Sequence, residues 1–598
     1  MDRRQFLSST TAATALAFSP GALRAEPVGG DAALNALFDK IFYEGLEDSP
    51  ESATQLGLDK GARAPLKYRL GDGSLAGRAK GLARNKAAIA AITAINPDSL
   101  SKAGRLNREV VLYSLATRTT GPEKFGIGST IRPYTIFQQG GAYFSTPDFL
   151  NSAHVVATKE DADAYLARLS AFATALDQDS EVQREEAARG YVAPDFALDL
   201  TLGQLAVLRG KAAADSSMVA SLASRATAAK IEGDWAARAE KIVENQIYPA
   251  LDRQIALIKS LPRRPQAGLW ALPRGEEIYA DALMAATTTN FTPDEVHSLG
   301  LAQVAEITAQ LDTILKAQGM TKGSIGARLA AFNETPAQLY PDTAQGRTTL
   351  IAGLNTGLAA MQAKLPQAFI NPPSAPLDIR AVPVEIQDGA SNGYYRLAAL
   401  DGSRPALYFI NLKSVGDWPK FTLPSLTYHE GVPGHHLQLS IVAGLKSPLL
   451  RRLSFFSAYS EGWALYAEQL ADELGGYPTA IERAGYLQSF LFRAARLVAD
   501  TGIHAKRWTR EQATDYFVET VGFARPRSLR EVERYCTQAG QACSYKLGHI
   551  SWLRARENAR RILGGKFDIK QFHEVLRDGA VPLTILERLV EERARAQA

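Results

Sequence analysis

Apolar residues recur at intervals of three and four through roughly 31–47, 78–96, 159–178, 202–229, 235–260 and 293–318. That is the period of helices that bury one face. Start signals punctuate the pattern. Thr292-Pro293-Asp294-Glu295 joins a capping threonine to a proline at the first helical position and a glutamate at the third. Thr335-Pro336-Ala337-Gln338 repeats the logic, and Thr509-Arg510-Glu511-Gln512 opens another helix before Ala513, Tyr516 and Phe517. The 293–318 segment runs into Gly319, a residue suited to a helix end.

One region departs from this period. Between 378 and 413 the chain carries β-rich runs at 379–386, 393–397 and 406–412, broken by Asp388-Gly389 and Asp401-Gly402-Ser403. These predict a small sheet directly before the segment richest in histidine. Pro-rich stretches at 262–273 and 365–376 read as loops. The fold expected is mainly α, a large multi-helix scaffold with a small sheet, organised as an N-terminal helical part (26–377) docked on a C-terminal part (378–598) that holds the candidate chemistry.

Composition changes little in that picture. A chain 46% hydrophobic and 22% charged has the makeup of an ordinary globular protein. The N-terminus adds an address. Asp2-Arg3-Arg4-Gln5-Phe6-Leu7 resembles the twin-arginine export motif, a mild apolar stretch follows to Phe18, and cleavage after Ala25 predicts a mature periplasmic protein. Losing residues 1–25 takes the formal charge from +4 to +2, which points to neither nucleic acid nor an anionic membrane. No apolar run reaches the 18 or more residues that a membrane helix needs. Cys536 and Cys543, seven apart, read as two free thiols unless Gly540 breaks the helix and lets them meet.

The chemistry concentrates in Tyr-His-Glu-Gly-Val-Pro-Gly-His-His-Leu-Gln at 428–438. Three of the eight histidines (His429, His435 and His436) lie there with Glu430. Neutral imidazoles ligate zinc in hydrolytic sites, and a non-ligating glutamate beside one can take a proton from water activated by the metal. The spacing breaks the H-E-x-x-H template. Residues six apart on a straight helix diverge by about 120°, and residues seven apart are separated by roughly 10 Å of rise. Either pairing of His429 with a later histidine therefore needs a distorted backbone, which Gly431, Pro433 and Gly434 supply. A third ligand is needed. Glu461, twenty-six residues after His435, meets that need if its helix packs antiparallel to the first; otherwise it merely opens a helix. Glu468 belongs to a solvated face or supports the ligands from behind.

Arg496, Asp500 and His504 follow at spacing four, either a surface ladder or a stripe whose His504 or Arg496 faces the metal and stabilises an oxyanion. Arg534, Tyr535, Gln541, Tyr545 and Lys546 crowd into thirteen residues, where a hydroxyl or a guanidinium would meet a tetrahedral intermediate or a substrate carboxylate.

Together the blocks HEGVPGHHLQ, SEGWALYAE, DTGIHAKRW, GQACSYKLG and YFINL resemble the bacterial family called domain of unknown function 885. That family looks distantly similar to helical zinc peptidases, the thimet-type oligopeptidases and Taq-type carboxypeptidases. The resemblance implies a zincin-like (gluzincin-type) fold and a zinc cofactor. His429 and Glu461 would be ligands, with His435 preferred over His436 as the second histidine, and Glu430 would be the base. It further implies that the sheet near 404–412, with Tyr408, binds an extended peptide by adding a strand.

The expected activity is zinc-dependent hydrolysis of short peptides. Glu430, His504 and Tyr545 would be catalytic, and Arg496, Arg534, Lys546 and Tyr408 would contact substrate. A metal-dependent hydrolase of another amide or ester, or a non-catalytic periplasmic binding protein, are the rival classes. Zinc content and cleavage of a peptide library separate them.

Overall fold

Side-chain caps set many helix starts, as the sequence predicts. In the computed structural model, which describes residues 29–382, 387, 393–398 and 405–598, Thr158, Thr292, Thr479 and Thr509 each close a reciprocal capping box. The helices that bear on the site are α1 (Ala142–Ser152), α2 (Lys159–Ala188), α3 (Pro293–Ala317) and α4 (Ala344–Gln362), then α5 (Leu423–Glu430), α6 (His435–Ala443), α7 (Ser457–Glu473) and α8 (Ala480–His504), and finally α9 (Arg510–Val521), α10 (Arg525–Thr537) and α11 (Ser544–Leu563).

Two expectations are corrected. The 202–229 segment divides into helices Asp195–Arg209 and Ser217–Ala228, with a short turn between them. Thr335 opens only a 3-10 turn, Pro336–Gln338, without a side-chain cap. A helix begun there would meet Pro341 in its interior, where proline removes a hydrogen bond and clashes. The chain restarts at α4, capped by Thr343. The proposed leader at 1–25, part of the 379–386 run, and the turns at 388–389 and 401–403 lie outside the described residues.

Helix α8 is the axis of the molecule. Most of its residues from Ala484 to His504 are buried, the polar Gln488, Arg496, Asp500 and His504 among them. Helix α3 lies along it, close enough that a Cβ on Gly300 would stand 2.8 Å from Leu497 and Val498 side-chain atoms. The main core cluster joins Val110, Ile307 and Leu311 to Trp463, Leu491 and Trp552 and runs on to Ala594, so it spans both sides of residue 377. A second cluster, almost all of it between Phe125 and Ala282, fills the N-terminal helices. Cys536 and Cys543 are free and buried.

The sheet has three strands, β1 (Leu377–Ala381), β2 (Gly393–Arg396) and β3 (Ala406–Ile410), in the order β1-β3-β2. β1 runs parallel to β3, with Leu377 opposite Ala406, and β2 runs antiparallel, with Tyr395 opposite Tyr408. Leu350 and Leu354 of α4 cover one face together with Ile379, Tyr408, Ile410 and Trp418. β3 is therefore central and paired on both sides. The backbone groups of β3 are spent in the ladder, so a strand added to this sheet, as the resemblance implies, would join at the outer edge of β1 or β2. Among the described residues no helix is long and apolar enough to cross a membrane.

Helices α7 and α11 cross glycine on glycine. A Cβ on Gly462 would lie 2.4 Å from Gly548 backbone atoms, and one on Gly548 would lie 2.0 Å from the Ala458 carbonyl. This contact lets the helices approach at their backbones and sets Glu461 near Tyr545. Gly548→Ala is expected to force the helices apart and destabilise the fold by about 1–3 kcal/mol, in the range of overpacked cores, read as a lower unfolding midpoint in denaturant.

Candidate metal centre

The histidine segment is two helices with a break between them. α5 ends at Glu430, the chain turns through Gly431, a cis Val432–Pro433 bond and Gly434, and α6 begins at His435. Gly434 N–H donates to the Tyr428 carbonyl at 3.0 Å and His436 N–H to the Gly431 carbonyl at 3.0 Å, which closes the turn. A Cβ on Gly434 would sit 2.0 Å from the His429 carbonyl oxygen, so only glycine fits there. Trp463, two residues after Glu461, donates its indole N–H to the Pro433 carbonyl at 3.0 Å and pins the turn to α7.

This bend brings three side chains to one point. His429 Nε2 lies 3.4 Å, and His435 Nε2 3.3 Å, from the same Glu461 oxygen, and all three ligand atoms fall within 4.8 Å of one another. Atoms bound tetrahedrally at ~2.0–2.2 Å from one zinc stand about 3.3–3.6 Å apart, so the donor set fits that ion. The surroundings fit it too. His429 Nδ1–H donates to Glu468 at 2.8 Å, which fixes the tautomer and leaves the Nε2 lone pair facing the Glu461 carboxylate. Lone pairs facing each other in a buried place call for a cation or a proton between them.

Glu468 has no exposed surface. It also accepts from Ser425 and from Ser489 at 2.7 Å, and Arg493 stands 4.0 Å away. Burial alone would raise its pKa, but the Arg493 charge and the hydrogen bonds from His429 and Ser425 outweigh it and hold the carboxyl low. For His429 burial works to lower the pKa, while Glu461 and Glu468 raise it to about 9. Two carboxylates thus favour positive charge at this imidazole. Glu430 is buried, which raises its pKa against the opposing influence of His429 and His435.

A family model described as "Bacterial protein of unknown function (DUF885)" matches residues 50–590. The chain belongs to the DUF885 family. Among solved structures, one described as a "putative lipoprotein" from Colwellia psychrerythraea is 33% identical over 95% of this chain and 100% of its own, with a TM-score of 0.92. Another, a "putative lipoprotein of unknown function" from Shewanella oneidensis, is 17% identical over 93% of this chain and 99% of its own, with a TM-score of 0.71, and shares the fold. No curated protein matches.

Within this DUF885 chain the sequence candidates divide. His429, His435, Glu461, Glu430 and Tyr545 come together, the Tyr545 ring stacking near-parallel to His429 with centroids 6.4 Å apart. Arg496 lies over the same Tyr545 ring at 4.5 Å, and Arg534 shares the Glu531 carboxylate with it. His436 is used elsewhere, with Nε2 against the Ala375 carbonyl at 2.8 Å and Nδ1 against the Tyr395 hydroxyl at 3.1 Å.

Three further expectations are corrected. His504 is fully buried, accepting at Nδ1 from Leu269 N–H (3.1 Å) and placed at Nε2 to donate to the Tyr535 carbonyl (3.0 Å). Burial lowers its pKa to about 4, so it is neutral with neither nitrogen free for substrate. Lys546, one position and so about 100° round α11 from Tyr545, lies buried 4.6 Å from the Phe490 ring and 3.4 Å from His549 Nδ1. Tyr408 is wholly buried in β3, with its hydroxyl unpartnered, so it presents no exposed surface for a peptide to contact.

Sequence reasoning passed over Ser425, Ser489, Arg493 and Glu531. Ser425 stands one helical turn before His429, and Glu468 two turns after Glu461; that shared-face spacing was the available signal. Replacing Glu468 with alanine leaves the His429 N–H without its acceptor. The expected result is zinc affinity about 10- to 100-fold weaker, measured by competition with a chelator.

Proposed function

We propose that the protein is a periplasmic zinc-dependent peptidase of zincin type that hydrolyses short peptides. The observation that carries this reading is the convergence of His429 Nε2 and His435 Nε2 on one Glu461 oxygen at 3.4 and 3.3 Å, with Glu430 immediately after the first ligand. Zinc at that point supplies Lewis acidity toward a carbonyl oxygen and acidifies water toward neutral pH.

The chain's own side chains supply the rest. Glu430, which makes no hydrogen bond among the described residues, takes the proton from water and returns it to the leaving amine. Glu468 keeps His429 in the tautomer that offers Nε2. Tyr545, partly exposed beside His429, donates its hydroxyl to the carbonyl oxygen as charge develops there. Tyr545 takes the role that the committed nitrogens of His504 exclude.

Kinship with thimet-type and Taq-type peptidases belongs to this proposal. It is supported by two histidines from a broken helix pair and a glutamate from the next long helix. Export rests on the Arg3-Arg4 motif and is supported by the name of the Colwellia protein, a "putative lipoprotein".

Glu430→Gln is expected to retain about one equivalent of zinc and to lose turnover by about 10²- to 10⁴-fold, read on a peptide library by mass spectrometry. Unchanged turnover removes Glu430 from the role of base. A metal-replete wild type that cuts no peptide bond, while cleaving simple esters or other amides, replaces the peptidase reading with its hydrolase rival.

A further inference from the structure

Helices α8 and α10 present an arginine-rich wall to the metal centre, and its charges do not balance. Arg496 donates Nε–H to the Tyr535 hydroxyl at 3.0 Å and Nη2–H to Glu531 at 3.2 Å. Its Nη1 is buried with no partner. Arg534 donates to the same Glu531 oxygen at 3.1 Å and to Gln541 at 2.6 Å. Arg527 stacks 3.6 Å over the Phe523 ring, has a buried unpartnered Nε, and makes no ion pair among the described residues. Arg493, whose Nε is likewise buried and unpartnered, donates Nη1–H to the Ser489 hydroxyl at 2.6 Å and carbonyl at 3.3 Å and stands 4.0 Å from Glu468. Glu531 is thus the shared counter-charge of Arg496 and Arg534, and Arg527 has no carboxylate in contact.

Guanidinium groups stay charged when buried, and their planar fork matches a carboxylate. Buried donors left unpaired are uncommon in native structures, which makes three on one wall informative. The wall is also close to the reacting centre, since the Tyr545 ring contacts Arg496 (4.5 Å) and stacks near His429 (6.4 Å between rings). A peptide spans at most about 3.6 Å per residue. An anion held at Arg496 is therefore within about three residues of a carbonyl placed at the metal ligands.

We propose that Arg493, Arg496, Arg527 and Arg534 form a subsite for the free α-carboxylate of a short peptide, so that the protein removes residues from the C-terminal end. The proposal rests on the hydrolytic reading of the adjoining centre. It narrows the substrate to chains that end in a carboxylate close to the bond cut.

The test measures binding apart from turnover. Zinc-loaded Glu430→Gln protein is titrated calorimetrically with acetyl-Ala-Ala-Ala, with its C-terminal amide, and with acetyl-Ala-Glu-Ala amide, while the wild type is assayed for hydrolysis of all three. The free acid is expected to bind at least about ten-fold more tightly than its amide, roughly 1.4 kcal/mol. Arg496→Gln and Arg534→Gln should abolish that preference, raising KM more than they lower kcat. Arg534 is partly exposed, so its variant carries the test if Arg496→Gln fails to fold.

Equal binding of acid and amide overturns the proposal. Tight binding of the glutamyl amide, with no preference for the free acid, also overturns it by assigning the wall to an acidic side chain. Acid-selective binding without cleavage by the wild type upholds the subsite and sinks the hydrolytic reading instead.

Discussion

Three electron-pair donors held face to face in a buried place make a demand that the rest of the site answers. His429 stands between two carboxylates: Glu461 at 3.4 Å on one nitrogen and Glu468 at 2.8 Å on the other. With Nδ1–H committed to Glu468, His429 Nε2 and His435 Nε2 both face the same Glu461 oxygen. Such an arrangement is tolerated when positive charge fills it, and its dimensions suit a small tetrahedral cation.

The scaffold explains how an otherwise costly cluster persists. The histidines sit on short helices and Glu461 on the longer α7, each held in place by contacts from outside. The Gly431–Gly434 turn aims His435, Trp463 ties that turn to α7, and the glycine crossing of α7 on α11 brings Glu461 beside Tyr545. Behind the ligands, Ser425, Ser489 and Arg493 stabilise Glu468, and Glu468 orients His429. The long buried helix α8 carries two of these supports together with Arg496, so the candidate metal centre and the arginine cluster are braced by one helix.

Much of this was legible in the chain. Helical periodicity and the Thr292 and Thr509 capping boxes marked many of the long helices, and the break in H-E-x-x-H spacing foretold a bent backbone between His429 and His435. The readings that failed share a cause. Spacing places residues on a helical face but does not say what that face meets. Arg496, Asp500 and His504 form a stripe as expected, yet Asp500 accepts from Tyr279 and from Gly540 N–H, and His504 is sealed by backbone groups. Lys546 and Tyr545 are neighbours in sequence on opposite errands in space. Strand order is likewise tertiary information, so a β-rich run at 406–412 reads the same whether it lies at an edge or, as here, in the middle. His435 and His436 show the limit most plainly: adjacent identical residues, separated in role only by the partners that Glu461 and the Ala375 carbonyl provide.

X-ray absorption at the zinc edge of the purified mature protein tests the central claim most directly. The account predicts about one zinc per chain in a shell of nitrogen and oxygen at ~2.0–2.2 Å with no sulfur, containing two imidazoles. His435→Ala should remove one imidazole, and His436→Ala should leave the count at two. Failure to take up stoichiometric zinc, or loss of an imidazole with His436→Ala but not with His435→Ala, would contradict it.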